Sequence, residues 1–256
     1  MENLKDLLFE LANEDRLNIL DAISKKAMKL TEVSKTLELT MQETSRHLQR
    51  LSNARLVQKK ADGAYHLTLH GTNVLSLLPG LDFLVEHREY FLTHRTSHLP
   101  REFLIRIGEL HGSNLLDNPL LALQRTNTII EDANEHLWFI ADQVPTGSIP
   151  LIEAAIKRGV SACFLMPKIL IRPDLPDEYR PQYRPEDQKR MLLGYTETID
   201  FVSTVSESAA LVGFPTTDGR MDYLAFLAES ELALSWCKDL FLRYWNQVEA
   251  VHPTEE

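Results

Sequence analysis

Along residues 4–54, apolar side chains recur at spacings of three and four, as expected for helices that bury one face. The pattern predicts a short helix over 4–11. It predicts a second, capped by Asn13 and running through Arg16, Leu17, Ile19, Leu20, Ala22 and Ile23, and a third capped by Thr31 with Val33 and Leu37 turned inward. A brief turn at Glu38 and Leu39 leads to residues 40–54. There Thr40 offers an N-cap hydroxyl, Glu43 stands three positions on to complete a capping box, and Thr44, Leu48 and Leu51 form a narrow inward face. Beyond Ala54 the period falls to two. Leu56 and Val57 open a strand, Ala61-Asp62-Gly63 supplies a turn, and residues 65–69 return. Two short helices, a turn and a hairpin predict a winged helix-turn-helix.

The rest of the chain changes character at about residue 137. Before it, residues 81–98, the stretch after Pro100 through Phe103, Leu104, Ile107 and Leu110, and a segment opened by Asn118-Pro119 all read as helices. After it, strand and helix alternate. A strand over 137–141, a Ser148-capped helix ended by Gly159 and a strand over 161–166 predict a βαβ unit with parallel strands. A proline-rich loop or lid follows over 171–185. Strand candidates then fall at 198–205, 209–214 and 223–228, the last two joined by Thr217-Asp218-Gly219. Residues 231–251 read as one long helix with Leu232, Trp236, Leu240, Tyr244 and Val248 on its inner face. The expected fold class is α+β. Its divisions are a DNA-binding head over 1–78, a helical linker and candidate dimerisation element over 79–117, and an α/β effector-sensing domain over 118–256.

Charge sharpens this division. The net charge of −10 opposes nucleic-acid binding when averaged over 256 residues, yet residues 16–70 hold ten Lys/Arg against five Asp/Glu. A cationic head on an acidic body suits attraction to phosphate. No apolar run approaches the roughly 20 residues of a membrane span, and acidic residues occupy the N-terminus where a signal peptide needs a basic start, so a cytoplasmic protein is expected. Cys163 and Cys237 lack metal-ligand spacing and are expected to pack as small apolar residues. Neither a metal nor another cofactor is expected.

The chemistry concentrates on residues 40–54. Opposite the apolar stripe lie Gln42, Ser45, Arg46, Gln49 and Arg50. Gln suits adenine, Arg suits guanine or phosphate, and Ser suits either. Gln42, Ser45 and Arg46 are the expected base readers. Arg50 is expected to grip phosphate together with Lys59, Lys60 and His66 of the hairpin.

The Ser45-Arg46-His47-Leu48 core, the Leu56-Val57 opening of the hairpin and its Tyr65-His66-Leu67-Thr68 return resemble the ArsR-type winged-helix domain of prokaryotic regulators. Three positions depart from that pattern: Glu43 where Thr or Ser is common, Thr44 where Val or Ala is common, and Arg55 where Gly usually precedes the wing. The paired cysteines, or Asp and His, that metal-sensing members carry on this helix are absent. Further along, PREFLIRIGEL, DNPLLAL, EHLWFIADQV, IEAAIKRGV and LAFLAESELALSWCKDLFLRYW resemble the body of the archaeal methanogenesis-regulator (FilR-like) family of transcription factors. That resemblance implies an archaeal source and a body related in outline to a degenerate phospholipase D-like fold.

A phosphodiesterase of that kind needs a His-x-Lys motif, and none of the nine histidines is followed two positions later by Lys. No nucleophile elbow, Walker-type loop or His-Glu-x-x-His helix occurs either. The expected function is therefore not enzymatic. It is a sequence-specific regulator of double-stranded DNA, a homodimer controlled by a small-molecule effector. Trp138, Arg180, Tyr183, Tyr195, Arg220 and Asp222 are the expected effector contacts, chosen for their places in loops and near strand ends. The alternative is a winged-helix protein-interaction module that no longer binds DNA.

Overall fold

A computed structural model describes residues 3–143, 146–168 and 188–252. It divides into two compact units, Met1–Pro79 and Gly80–Glu256.

The first unit opens with α1 (Leu4–Leu11) and α2 (Glu14–Lys25), whose N-caps Asn3 and Asn13 each accept a backbone N–H three residues on. Next come β1 (Met28–Lys29), α3 (Leu30–Thr36), α4 (Met41–Asn53), β2 (Val57–Lys59) and β3 (Ala64–Leu67). Helix α3 begins one residue before the expected Thr31 cap. Glu32 bonds back to the Lys29 amide at 2.6 Å and sets that start. The three strands pair antiparallel in the order β1-β3-β2. Leu20, Ile23, Met28, Val33, Leu48, Leu51, Leu56 and Val57 make the core.

Helix α5 (Leu69–Glu86) starts earlier than the periodicity suggested, because the Thr68 hydroxyl caps the Gly71 amide at 2.9 Å. That cap also ends the return strand at Leu67. Gly71 lets the helix approach the backbone that leads into β2, since a Cβ there would collide with the Leu56 carbonyl oxygen.

In the second unit, α6 (Arg88–Thr93) and α7 (Arg101–Ile105) lead to β4 (Asn114–Leu116) and α8 (Pro119–Asp132). The βαβ unit follows as β5 (His136–Ile140), α9 (Ile149–Arg158) and β6 (Ser161–Pro167), with β5 and β6 parallel. Gly159 closes α9 at φ 107°. The remaining elements are β7 (Met191–Thr196), β8 (Val202–Val205), β9 (Ala210–Gly213), β10 (Ala225–Ala228), α10 (Glu231–Trp245) and β11 (Ala250–Val251). Among the described residues, one mixed sheet takes these eight strands in the order β11-β7-β6-β5-β8-β9-β10-β4.

Side chains on the sheet alternate between two cores. Ile140, Leu165, Val212, Phe226 and Ala228 face α10 and the helices of 83–110, whereas Phe139, Phe164, Leu211, Ala225 and Leu227 face α8 and α9. Residues 79–117, expected as a linker, supply Phe83, Tyr90, Phe103, Ile107 and Leu110 to the first of these cores. Their apolar positions are filled by α10 and the sheet: Trp236 meets Phe103 edge-on and donates its indole N–H to the Phe103 carbonyl at 3.2 Å.

The terminal helix also differs from expectation. It stops at Trp245, Leu232 is exposed, and Val248 lies beyond the helix against β7. Gly194 admits that contact, because a Cβ there would stand 2.7 Å from Val248 Cγ2. The sequence reading missed β1, β4, β7 and β11. Each is a strand whose pairing comes from distant chain, and β7 carries a glycine in its middle.

Candidate nucleic-acid interface

The first unit fixes α4 at both ends by local hydrogen bonds. Thr40 Oγ1 accepts the Glu43 amide at 3.2 Å, and Glu43 Oε2 accepts the Thr40 amide at 3.1 Å and its hydroxyl at 2.6 Å. The Thr40 hydroxyl, and then its amide, hold the Glu43 carboxyl below its usual range. Glu43 thus belongs to the cap.

The turn between α3 and α4 and the passage from α4 to β2 each begin with one left-handed residue. Helix α3 closes with Glu38 at φ 55°, the Leu39 amide reaching back to the Ser34 carbonyl at 3.0 Å. Helix α4 closes the same way. Arg55 stands at φ 57°, its amide bonds the Ser52 carbonyl at 2.9 Å, and the Leu56 amide bonds the Leu51 carbonyl at 3.0 Å. These are Schellman motifs, which usually place Gly at the left-handed position. Arg55 therefore holds a glycine conformation at one of the three positions where the sequence departs from the ArsR-type pattern.

Between these ends, Thr44, His47, Leu48 and Leu51 are buried, and Gln42, Ser45, Arg46 and Gln49 are exposed. Among the described residues the side chains of Gln42, Ser45 and Arg46 make no hydrogen bond or ion pair, so one exposed face offers an amide, a hydroxyl and a guanidinium together. Gln49 is bonded to Asn53 at 2.9 Å.

Arg50 is placed differently. Its guanidinium makes two bonds to Glu10, at 2.9 and 2.7 Å, and lies 5.3 Å above the Phe9 ring. Glu10 also faces Arg16 at 3.4 Å, and Arg16 donates to the carbonyls of Glu10 and Phe9 at 2.6 and 2.9 Å. The Arg50 bond, opposed by burial, leaves the Glu10 carboxyl below its ordinary value. Arg50 so fastens α1 to α4 across 40 residues of sequence, an ion pair that helical periodicity had no means to reveal. His47 is a further buried group. Its Nε2 lies 3.5 Å from Asp15, and burial holds its pKa below the usual value.

The hairpin turn is a three-residue loop. The Gly63 amide bonds the Lys60 carbonyl at 3.0 Å, Gly63 takes φ 87°, and the Lys60 amide bonds the Ala64 carbonyl at 2.7 Å. Lys59 and Lys60 are exposed beside it, with Lys59 Nζ 5.7 Å from the Tyr65 ring. His66 is not at the tip. It pairs with Gln58 in mid-strand, and its Nδ1 is enclosed.

Of the residues expected to hold an effector, the described ones occupy different parts of the second unit. Arg180 and Tyr183, with the rest of the proline-rich 171–185 segment, lie outside the described residues. Trp138 stacks on Phe241 at 4.9 Å in the α10-side core. Tyr195 stands in β7, Arg220 is paired with Asp218 in the exposed turn at 2.5 Å, and Asp222 faces His94 Nε2 at 3.0 Å. What the sequence reading missed is a cavity of about 350 Å³ between α8 and the β5-β8-β9-β10 part of the sheet, with Asp142 and Tyr223 at one edge. Its walls are ordinary core residues, so no sequence signal marked it.

Comparison with known proteins agrees with the first unit's architecture. Residues 11–59 match the helix-turn-helix domain family. No curated protein matches the chain. Among solved structures, an archaeal chromatin protein, TrmBL2, described as showing a novel mode of DNA binding, is 14% identical, with 94% of this chain and 95% of that one covered and a TM-score of 0.45. NucT from Helicobacter pylori is 9% identical over 55% of this chain and 98% of its own, at a TM-score of 0.40. Reduced HlyU from Vibrio cholerae is 31% identical over 34% of this chain and 86% of its own, at a TM-score of 0.25. Likenesses this loose assign no chemistry to the chain.

Proposed function

We propose that the chain is a transcriptional regulator that binds double-stranded DNA through α4 and the β2-β3 hairpin. The observation that carries this is the exposed, unbonded set Gln42, Ser45 and Arg46 on the second helix of a helix-turn-helix, with Lys59 and Lys60 exposed on the adjoining hairpin. Side chains already committed to the fold do not read bases, and these three are free to do so. Arg50 is assigned to anchoring α1, and the phosphate contacts to Lys59 and Lys60.

The regulator acts as a homodimer in this reading, because two recognition helices about one turn of DNA apart match a palindromic site. Leu4, Leu8 and Phe9 of α1 and Leu77 of α5 are exposed in the first unit and offer apolar surface to a second copy. Light scattering behind a sizing column distinguishes monomer from dimer. Membership of the archaeal methanogenesis-regulator family, a degenerate phospholipase D-like body without catalysis, a cytoplasmic location and an effector site in the second unit complete the proposal. Among the described residues no helix is long and apolar enough to cross a membrane.

Gel shifts of the full chain on fragments of its own genome test the reading. Affinity is expected to fall steeply with salt as phosphate contacts release counterions. Absence of binding at low salt to any fragment overturns it in favour of a winged-helix protein-interaction module.

A further inference from the structure

The cavity of about 350 Å³ in the second unit has an unusual division of walls. Leu123, Ile130, Ile152 and Leu211 supply hydrocarbon, and Phe139 and Phe164 stack with ring centroids 4.8 Å apart. The space exists because α8 stands over small residues: Thr204, Gly213 and Ala225 on the strands, and Ala122 on the helix itself. Leu120, three-quarters exposed, marks the rim at the first turn of α8. A cavity of this size falls within the range of small-molecule sites.

The polar groups of the wall are mostly committed. Thr126 donates to the Ala122 carbonyl at 3.0 Å, and Ser148 donates to Asn127 Oδ1 at 2.7 Å. The exceptions are Ser203, whose Oγ is buried without a hydrogen-bond partner among the described residues, and the edge formed by Asp142 and Tyr223. The Tyr223 hydroxyl donates to both carboxylate oxygens, at 3.2 and 3.1 Å, which leaves Asp142 with further lone pairs to offer. Burial first, and then the carboxylate, push the Tyr223 phenol up to about 12, so it remains a donor. Tyr223 also holds φ 63°, a left-handed conformation costly for a bulky residue. The neighbouring Asp222 secures the segment by facing His94 and by accepting the Leu224 amide at 3.1 Å.

We infer that this cavity binds a compact apolar molecule carrying one hydrogen-bond donor, a hydroxyl or amino group, which Asp142 accepts at the Tyr223 edge. A carboxylate of the same shape is rejected, because it would bring like charge against Asp142 in an apolar setting. The site stands on its own geometry. Its role as the effector site rests on the proposed regulator.

Calorimetric titration of the full chain with 1-adamantanol, 1-adamantylamine and 1-adamantanecarboxylate separates these chemistries on one hydrocarbon body. The alcohol and the amine are expected to bind, and the carboxylate to bind at least about tenfold more weakly, the equivalent of one lost hydrogen bond to a charged group. Leu123→Trp fills the mouth and is expected to abolish binding. Asp142→Asn retains the cavity and is expected to remove the preference of amine over carboxylate, which keeps the test open if the tryptophan variant fails to fold. No binding by any of the three, equal binding of the carboxylate, or an unchanged preference in Asp142→Asn overturns the site. Gel shifts with and without the bound alcohol are read separately: unchanged DNA affinity overturns the effector role and leaves the site standing.

Discussion

The two units place their candidate chemistry in opposite settings. In the first, Gln42, Ser45 and Arg46 project from the outside of a single helix whose ends are fixed by neighbours within a few residues. In the second, the cavity is assembled from α8, α9 and five strands, and the carboxylate at its edge, Asp142, is held by a tyrosine 81 residues away. A surface reader needs only a rigid platform, since its partner brings the complementary shape. An interior site needs the whole fold, because removing any wall opens it to water.

The largest expected effect comes from attacking the platform. Gly71→Ala drives a Cβ into the Leu56 carbonyl and is expected to destabilise the first unit by about 3 kcal/mol, seen as an early transition in chemical denaturation. Next, Arg46→Ala and Gln42→Ala are each expected to weaken binding to a specific site by about 1–3 kcal/mol while leaving the thermal midpoint unchanged. Equal loss on random DNA would instead make them phosphate contacts. Arg50→Ala sharpens the contrast within one helix. It is expected to loosen α1 and lower stability, with DNA affinity falling only in proportion to the folded fraction.

Smaller effects concern backbone conformation. Arg55→Gly is expected to stabilise the first unit by about 1 kcal/mol by removing a left-handed non-glycine residue, and Gly159→Ala to destabilise the second by a similar amount. The two substitutions probe the same helix-ending device from opposite directions, and denaturation midpoints compare them. The smallest effect follows from His47. Its folded pKa is below the unfolded value, so the stability it contributes is full above about 6.5, the unfolded value, and is lost as pH falls through that value toward the folded one. Unfolding of the full chain across this window is expected to show a first-unit transition that weakens on acidification, and His47→Gln to flatten it.

Legibility in the sequence followed the range of the interaction. Asn13, Thr40 with Glu43, and Asn118 before Pro119 cap the helices the sequence assigned to them, because a cap bonds an amide two or three residues on. Gly159 ends its helix for a similarly local reason. Ser148 precedes the expected helix, yet its hydroxyl bonds Asn127 rather than a first-turn amide. A side chain with a better partner across the fold abandons the local one.

By itself the sequence determined the helix-turn-helix, the hairpin, the parallel pair β5 and β6, and the exposed polar face of α4. Each is set by dihedral preference, by hydrogen bonds within a few residues, or by a period of 3.6 or 2. Only the tertiary structure decided that Arg50 serves Glu10, that His66 sits mid-strand with its Nδ1 enclosed, that β4 and β7 join the sheet of the second unit, and that small residues on three strands leave a cavity beneath α8. Those outcomes depend on which surfaces meet, and neither the spacing of residues along a chain nor their local preferences encodes the distance between side chains that folding brings together.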